Sequence, residues 1–251
     1  MKPCAFVGQP LSRHIEGCLE ELKKFTYKNP TYFEVVSRRL RSALKGVTTQ
    51  IENRVTGQRV EEMVRLAVLF HDVGKAYNYF QNRFDERCSS KSPGFQYHEV
   101  VSAATCHKFF STQPEEEWSS VEKALVVLSV LNHHHAFRNP IRIIHAGDED
   151  IMNRGVHYIR EGFCEGDLPS VFEKFNIRLN GLVLNSYDVQ GFYSWLNGVR
   201  RMKGVDRWLK LYVLVMNPLI IADNMNAKER GGEDEARKAF IKEIEEAIYG
   251  A

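Results

Sequence analysis

LAVLFHDVGKAYNYFQ, residues 66–81, carries a buried helix into a polar turn. The positions that lead to the turn share one helical face, which ends in a histidine: Val60, Val64, Ala67, Val68 and His71. Adjacent side chains on a helix point about 100° apart, so His71 and Asp72 offer an imidazole and a carboxylate in neighbouring directions. A buried carboxylate is costly without a partner. The stretch therefore predicts a metal site at the end of a buried helix.

Helical periodicity extends in both directions from this stretch. Apolar residues recur every three or four positions over residues 11–22, 33–44, 98–109, 121–135, 168–179, 187–200, 206–226 and 233–248, and residues 77–84 suggest a short helix. No segment alternates in the manner of a strand, and no linker rich in Pro, Gly or Ser divides the chain. We therefore predict a single all-α domain over residues 1–251, with the metal site between its central helices.

Three segments depart from this periodicity. Residues 47–57 are predicted to form a loop or a short hairpin. Residues 145–170 are rich in glycine and acidic residues, and they predict a long irregular connection with a helical turn near residues 153–160. Pro218 removes a backbone donor and clashes with the preceding turn, so we expect it to kink or locally break the helix over residues 206–226.

Composition and cysteine use point to a soluble protein of a reducing compartment. Hydrophobic content is 43% and charged content is 26%. The formal net charge is +2, and this charge is too small to argue for nucleic-acid binding by itself.

The five cysteines are widely spaced and form no CxxC pair, which favours free thiols: Cys4, Cys18, Cys88, Cys106 and Cys164. Residues 1–14 lack the apolar core of a signal peptide. The longest apolar run, residues 211–223, is too short to span a bilayer, so we predict a cytoplasmic protein without a membrane partner.

Ionisable residues recur on helical faces that should be buried. They are His14, His71, Asp72, His98, the run His133, His134 and His135, and Asp223. A single histidine on an apolar face is more often a satisfied core residue than a ligand. Two carboxylates and several imidazoles that converge from different helices, however, satisfy one another best through metal ions. A mixed nitrogen and oxygen donor set fits Mn, Fe, Co, Ni or Zn and does not choose among them.

Cations near these residues allow two interpretations. Lys75, one turn after the His-Asp pair, offers a positive charge to a phosphate or serves only as a cation at a helix C-terminus. Two basic clusters, one over residues 38–45 and one over residues 200–210, either follow a nucleic-acid backbone or form ordinary solvated faces.

HDVGKAYNYFQ resembles the HD-domain motif, and the series around it resembles the HD nucleases of type I CRISPR interference. The matching segments follow one another along the chain: LSRHIEG with His14, HDVGK with His71, Asp72 and Lys75, HEVVSA with His98, NHHHA with His133 to His135, and IADNMNA with Asp223. A lone HD pair is a weak signal, whereas this ordered set spans nearly the whole chain and is fairly specific.

The resemblance implies an HD-domain helical bundle with two divalent metal ions, of the kinds Mn, Fe, Co, Ni, Zn or Mg. One ion would be held by His14, His71, Asp72 and Asp223, and the other by Asp72, His98 and two of the three consecutive histidines. It implies cleavage of single-stranded DNA, with Asp72 between the metals and Lys75 assisting the phosphate. It also implies a CRISPR RNA-guided surveillance complex and a separate helicase subunit as partners, because the sequence has no GxxxxGK[ST] phosphate loop.

Two questions stay open at this point. The family has a histidine pair where this chain has three: Ala136 favours His134 with His135, whereas counting from the apolar helix allows His133 with His134. The activity also has two rivals. One is an HD phosphohydrolase of nucleotides or cyclic dinucleotides, which would need a closed pocket for a base or ribose. The other is a non-catalytic interaction subunit, against which the intact ligand set argues.

Overall fold

The computed structural model describes residues 2–47, 54–90, 93–114, 116–134, 149–228 and 235–249. The helices of this part of the chain are α1 (Leu11–Lys28), α2 (Tyr32–Leu44), α3 (Gly57–Phe70), α4 (Asn78–Gln81), α5 (His98–Thr112), α6 (Ser120–Asn132), α7 (Glu149–Ile159), α8 (Leu168–Glu173), α9 (Ser186–Val199), α10 (Val205–Trp208), α11 (Tyr212–Ala227) and α12 (Glu235–Ile244). Short 3-10 turns span Val73–Ala76, Leu179–Leu182 and Leu209–Leu211, and a π-helical turn spans Glu245–Tyr249. The predicted all-α class is confirmed.

Helix α3 lies at the centre of the bundle. It packs against α1, α2, α5, α6 and α11, and its buried face includes Val60, Val64 and Ala67, as the periodicity predicts. Thr56 caps its N-terminus by accepting a hydrogen bond from the Arg59 amide. Because the helix is enclosed on several sides, its C-terminal residues enter the interior of the protein.

A small hairpin precedes α1, and the prediction that no segment forms a strand was wrong here. Strands β1 (Cys4–Phe6) and β2 (Gln9–Pro10) pair antiparallel, with Cys4 opposite Pro10. Gly8 supplies the positive φ of the turn, +75°. Strands of three and two residues are too short for alternation to be recognised in a sequence.

A disulfide joins this hairpin to the segment after α4, which corrects the prediction that all five cysteines are free. Cys4 and Cys88 are bonded, with Cα atoms 5.6 Å apart, whereas Cys18, Cys106 and Cys164 are free thiols. Gly8 also donates its amide to the Cys88 carbonyl, at 3.0 Å. A pairing across 84 residues leaves no mark in local spacing, and it removes the cysteine-based argument for a reducing compartment.

Helix α7 is longer than the single helical turn predicted near residues 153–160, and it occupies part of the predicted irregular connection. The glycine in this helix, Gly155, lets it approach α9 closely: a Cβ on Gly155 would lie 3.2 Å from Val189 Cγ1. Tertiary packing therefore overrides the low helix propensity of glycine at this position.

Pro218 does not break its helix, because α11 runs without interruption from Tyr212 to Ala227. A proline lacks the amide that would bond to the carbonyl four residues earlier, which here belongs to Leu214. The Tyr32 hydroxyl donates to that carbonyl at 2.9 Å. A tertiary hydrogen bond thus satisfies the acceptor that Pro218 leaves free.

Two further predictions concern residues that lie outside the described ranges. Most of the segment predicted as a loop or hairpin, residues 48–53, lies outside them, and so does His135. Among the helices that the structure describes, none combines the length and apolar character needed to cross a membrane.

Candidate metal centre

The predicted site residues converge from five helices at the middle of the bundle. His14 lies within α1 and Asp223 within α11. His71 ends α3, and Asp72 follows it directly. His98 opens α5, and His133 and His134 follow α6. All of these side chains are buried or half-buried.

The Asp72 carboxylate stands between two groups of donors and is 1% exposed. Its Oδ2 lies 3.0 Å from His14 Nε2 and 3.5 Å from His71 Nε2. Its Oδ1 lies 2.7 Å from His98 Nε2 and 3.6 Å from His133 Nε2. Each oxygen therefore faces a different set of imidazoles.

The first donor cluster comprises His14, Cys18, His71 and Asp223. His14 Nε2 lies 3.2 Å from His71 Nε2 and 3.4 Å from Asp223 Oδ1. One ligand atom from each residue lies within 4.8 Å of every other. These separations suit donors that share one cation.

The second donor cluster comprises Asp72, His98, His133 and His134, again with ligand atoms within 4.8 Å of one another. His133 Nε2 is buried without a hydrogen-bond partner. The His134 ring lies against both neighbours, with centroids 4.0 Å from His133 and 5.1 Å from His98. The structure thus brings the pair His133 and His134 to the centre.

The histidines are oriented by hydrogen bonds from their outer nitrogens. Three Nδ1 atoms lie 2.6–2.7 Å from the carbonyl oxygen three residues earlier: His71 on Val68, His98 on Phe95 and His133 on Val130. A carbonyl only accepts, so each Nδ1 carries the proton and each Nε2 presents a lone pair toward the centre. Metal-bound histidines are held in this way.

His14 follows the same pattern through a side chain. Its Nδ1 lies 2.8 Å from Asn226 Oδ1, so its Nε2 points at the Nε2 of His71 and at two carboxylates. Electron-rich nitrogens and anions gathered at such distances repel one another unless a proton or a metal ion lies among them. The donor set therefore fits divalent metal ions.

The electrostatics favour the protonation states that metal binding needs. Burial lowers the pKa of His71 to about 3 and also lowers the pKa of His98, so both rings are neutral. Burial opposes the charge on Asp72, but Lys75 and the neighbouring histidines hold the pKa of this carboxyl well below its usual range. His14, against the effect of its burial, has a pKa raised well above its usual value by Cys18 and the two carboxylates. A proton on His14 would be displaced when a metal ion binds.

The turn after Asp72 is fixed by close packing. The Gly74 amide donates to Ser102 Oγ at 2.8 Å, and a Cβ on Gly74 would lie 2.7 Å from the Ser102 amide nitrogen. Only glycine lets the start of α5 approach this turn, and that approach brings His98 to Asp72. Lys75, which is 8% exposed, directs its Nζ to Asp72 Oδ2 at 2.6 Å.

Three residues at the centre were not predicted as site residues. Cys18 follows His14 by four positions, so helical spacing was a usable signal. Asn226 follows Asp223 by three, which gives a similar signal on α11. Gln81 ends the HDVGKAYNYFQ stretch, so the resemblance was a signal for it: its side chain accepts from the Cys4 amide at 2.7 Å and donates to the Lys75 carbonyl at 2.5 Å, which links the hairpin to the turn.

Comparison with known families decides the assignment. The family model described as Cas3, HD domain matches residues 32–183. This chain belongs to the Cas3 HD-domain family. The matched range includes His71, Asp72, His98 and the three consecutive histidines, whereas His14 and Asp223 lie outside it.

A relative and a solved structure extend the likeness over most of the chain. The CRISPR-associated endonuclease Cas3-HD of Saccharolobus solfataricus is 28% identical over 255 residues, which cover 100% of this chain and 98% of that protein. The Cas3 HD domain protein from Methanocaldococcus jannaschii has a TM-score of 0.56 at 18% identity, covering 89% of this chain and 99% of the other. At that identity the structural likeness shows the fold alone.

Membership in the Cas3 HD-domain family confirms the resemblance predicted from the HDVGK series. It also confirms the predicted enzyme class, a metal-dependent HD-domain nuclease of the CRISPR-associated type. HD domains bind divalent metals, and the two donor clusters provide the histidines and carboxylates for such binding.

Proposed function

We propose that this Cas3 HD-domain protein hydrolyses phosphodiester bonds of single-stranded DNA in CRISPR interference, at a centre for two divalent metal ions. The observation that carries the proposal is the position of the Asp72 carboxylate, whose two oxygens face different donor clusters. Its Oδ2 faces His14 at 3.0 Å, and its Oδ1 faces His98 at 2.7 Å. A carboxylate with one oxygen in each donor cluster is suited to bridge two ions.

The metal-binding residues would form two groups, one for each ion. His14, His71 and Asp223 would hold one ion and His98, His133 and His134 the other, with Asp72 shared. Two divalent ions held by these residues would supply the activation of a water and the stabilisation of the oxygens in a phosphoryl displacement. The anchored imidazoles fix the positions of the donors in advance, so that little reorganisation is needed when a phosphate enters. The nitrogen and oxygen donors suit Mn, Fe, Co, Ni or Zn better than Mg.

Lys75 would keep Asp72 ionised and aligned. Its Nζ lies 2.6 Å from Asp72 Oδ2 in a buried environment, where a charged hydrogen bond is strong. With metal ions held at that carboxylate, the ammonium would be available to a non-bridging oxygen of the phosphate. This is the catalytic role we propose for Lys75.

The charge of the surface supports a nucleic-acid substrate. The two basic clusters of residues 38–45 and 200–210 meet, because Arg207 Nη1 donates to the Lys45 carbonyl at 3.2 Å. Exposed cations thus lie on two segments in contact with each other, where a phosphate backbone would gain affinity. We further propose that residues 1–251 act as one domain in the cytoplasm, and that a separate helicase subunit of the surveillance complex supplies the single strand.

The test is metal-dependent cleavage. Metal-stripped protein is incubated with labelled single-stranded or double-stranded DNA and with Mn²⁺, Co²⁺, Ni²⁺ or Mg²⁺, beside Asp72→Asn. The exposed Glu86→Gln, outside both donor clusters and both basic clusters, is the control. We expect cutting of the single strand that needs added metal, is lost in Asp72→Asn and persists in Glu86→Gln.

A panel of nucleotides and cyclic dinucleotides in the same buffers tests the rival phosphohydrolase. Turnover of those compounds without DNA cleavage would replace the nuclease proposal. The surface groove of about 910 Å³ gives that rival no support, because none of its lining residues belongs to either donor cluster.

A further inference from the structure

Cys18 lies inside the first donor cluster and is fully buried on α1. Its Sγ lies 3.6 Å from His14 Nδ1 and 3.8 Å from His14 Nε2. The sulfur lies within 4.8 Å of a ligand atom of each of His14, His71 and Asp223. Two imidazoles and a carboxylate, all established metal donors, thus surround this thiol.

The spacing fits a common cation. Bonds of about 2.0–2.1 Å to nitrogen and about 2.3 Å to sulfur put neighbouring donors of one ion roughly 2.9–3.6 Å apart, for bond angles from a right angle to tetrahedral. From His14 Nε2, the distances are 3.2 Å to His71 Nε2, 3.4 Å to Asp223 Oδ1 and 3.8 Å to Cys18 Sγ. The sulfur lies farthest, as its longer bond requires.

The other fully buried free cysteine provides a contrast. Cys106 lies on α5 and belongs to neither donor cluster. It behaves as a small apolar residue of the core. Cys18, in contrast, has its sulfur within 4.8 Å of a ligand atom of each of His14, His71 and Asp223, an environment that a purely apolar filler does not require.

We infer that Cys18 is a sulfur ligand of the ion in the first donor cluster and makes that position selective for thiophilic ions. The thiol loses its proton to solvent when the ion binds, and the thiolate sulfur forms the bond. Thiolate favours Zn²⁺ and its soft neighbours over Mg²⁺ and Mn²⁺. The second cluster offers only nitrogen and oxygen, so the two positions differ in preference. The inference rests on the proposed metal centre.

The test is a titration of the metal-stripped full chain with Co²⁺, followed by absorption. Visible ligand-field bands report any bound cobalt, whereas a near-ultraviolet charge-transfer band reports a cobalt–thiolate bond. We expect the charge-transfer band with the first equivalent, its loss in Cys18→Ser and its persistence in Cys106→Ser. We also expect the affinity for Zn²⁺ relative to Mn²⁺ to fall at least about tenfold in Cys18→Ser, since even the partners of ligands are worth 10–100-fold.

The outcomes separate this inference from the proposed function. Ligand-field bands without a charge-transfer band in the unaltered protein would overturn the sulfur ligand and leave the metal centre intact. Absence of both sets of bands would overturn the centre itself. A charge-transfer band that survives in Cys18→Ser would assign the sulfur to another cysteine and reject the inference. If Cys18→Ser fails to fold, X-ray absorption of the unaltered cobalt protein decides, because a sulfur neighbour is seen at its own distance.

Discussion

The two donor clusters are built from different parts of their helices. In the first, His14 and Cys18 lie one turn apart in α1, and Asp223 lies within α11. In the second, the donors lie at helix ends: His98 begins α5, and His133 follows α6. The first cluster is therefore set by how two long helices pack beside the end of α3, where His71 lies, and the second by where three helices stop or start.

This difference extends to the groups that orient the imidazoles. His98 and His133 donate to backbone carbonyls, which no substitution removes. His14 instead depends on the Asn226 side chain, at 2.8 Å. The first cluster can consequently be altered by single substitutions around it, whereas the second is held by the backbone. Asp72 belongs to both.

Asp72→Asn should have the largest effect, because it acts on both clusters at once. Two ions in such a centre stabilise the transition state by several kcal/mol, so cleavage should fall on the order of 10³-fold. Initial rates on single-stranded DNA give the measurement, with the exposed Glu86→Gln as control. A variant within a few-fold of the unaltered rate would show that Asp72 does not link the clusters.

His14→Ala and His98→Ala should each remove one ion and leave the other. After loading with Mn²⁺ and desalting, metal analysis should give about one ion per chain in either variant instead of about two. Loss of both ions in His14→Ala but not in His98→Ala would show that the first site must fill before the second. Circular dichroism provides the control for folding.

Asn226→Ala should weaken the first cluster alone. Groups that orient metal-bound histidines are worth about 10–100-fold in metal affinity, so the weaker of two binding constants should shift while the other stays. Isothermal titration with Mn²⁺ measures both. The control is Asn29→Ala, which removes a hydrogen bond to Phe25 at the far end of α1. Equal loss at both sites would contradict the independence of the clusters.

The disulfide should matter least to the metal centre and most to stability. Opening a bridge across 84 residues costs about 2–4 kcal/mol, which lowers Tm by roughly 5–15 °C for a chain of this size. The double variant Cys4→Ser/Cys88→Ser should retain its metal content at low temperature. Loss of metal in the folded variant would show that the Gln81 link to Lys75 supports the centre directly.

Periodicity predicted the helix bodies well, and with them the all-α class and the placement of His14 and His71 on buried faces. It could not choose among the three histidines, because the residues before them in α6 are apolar all round. That choice depends on where α6 ends, and the structure ends it at Asn132, which turns His133 and His134 to the centre. His135 lies outside the described residues.

What the sequence did not reveal depends on contacts between distant segments. The Cys4–Cys88 bond joins residues 84 positions apart. The continuity of α11 at Pro218 depends on the Tyr32 hydroxyl, and the full length of α7 on packing against α9. Cys18 is different: its spacing from His14 was visible, but a cysteine on an apolar face is ordinarily core.

The most direct test of the bridged centre is a crystal of the full chain loaded with Mn²⁺, measured for anomalous scattering. The account predicts two peaks roughly 3.5–4 Å apart, with Asp72 Oδ2 bound to the ion beside His14 and Oδ1 bound to the ion beside His98. A single peak, or two peaks of which Asp72 binds only one, would contradict it.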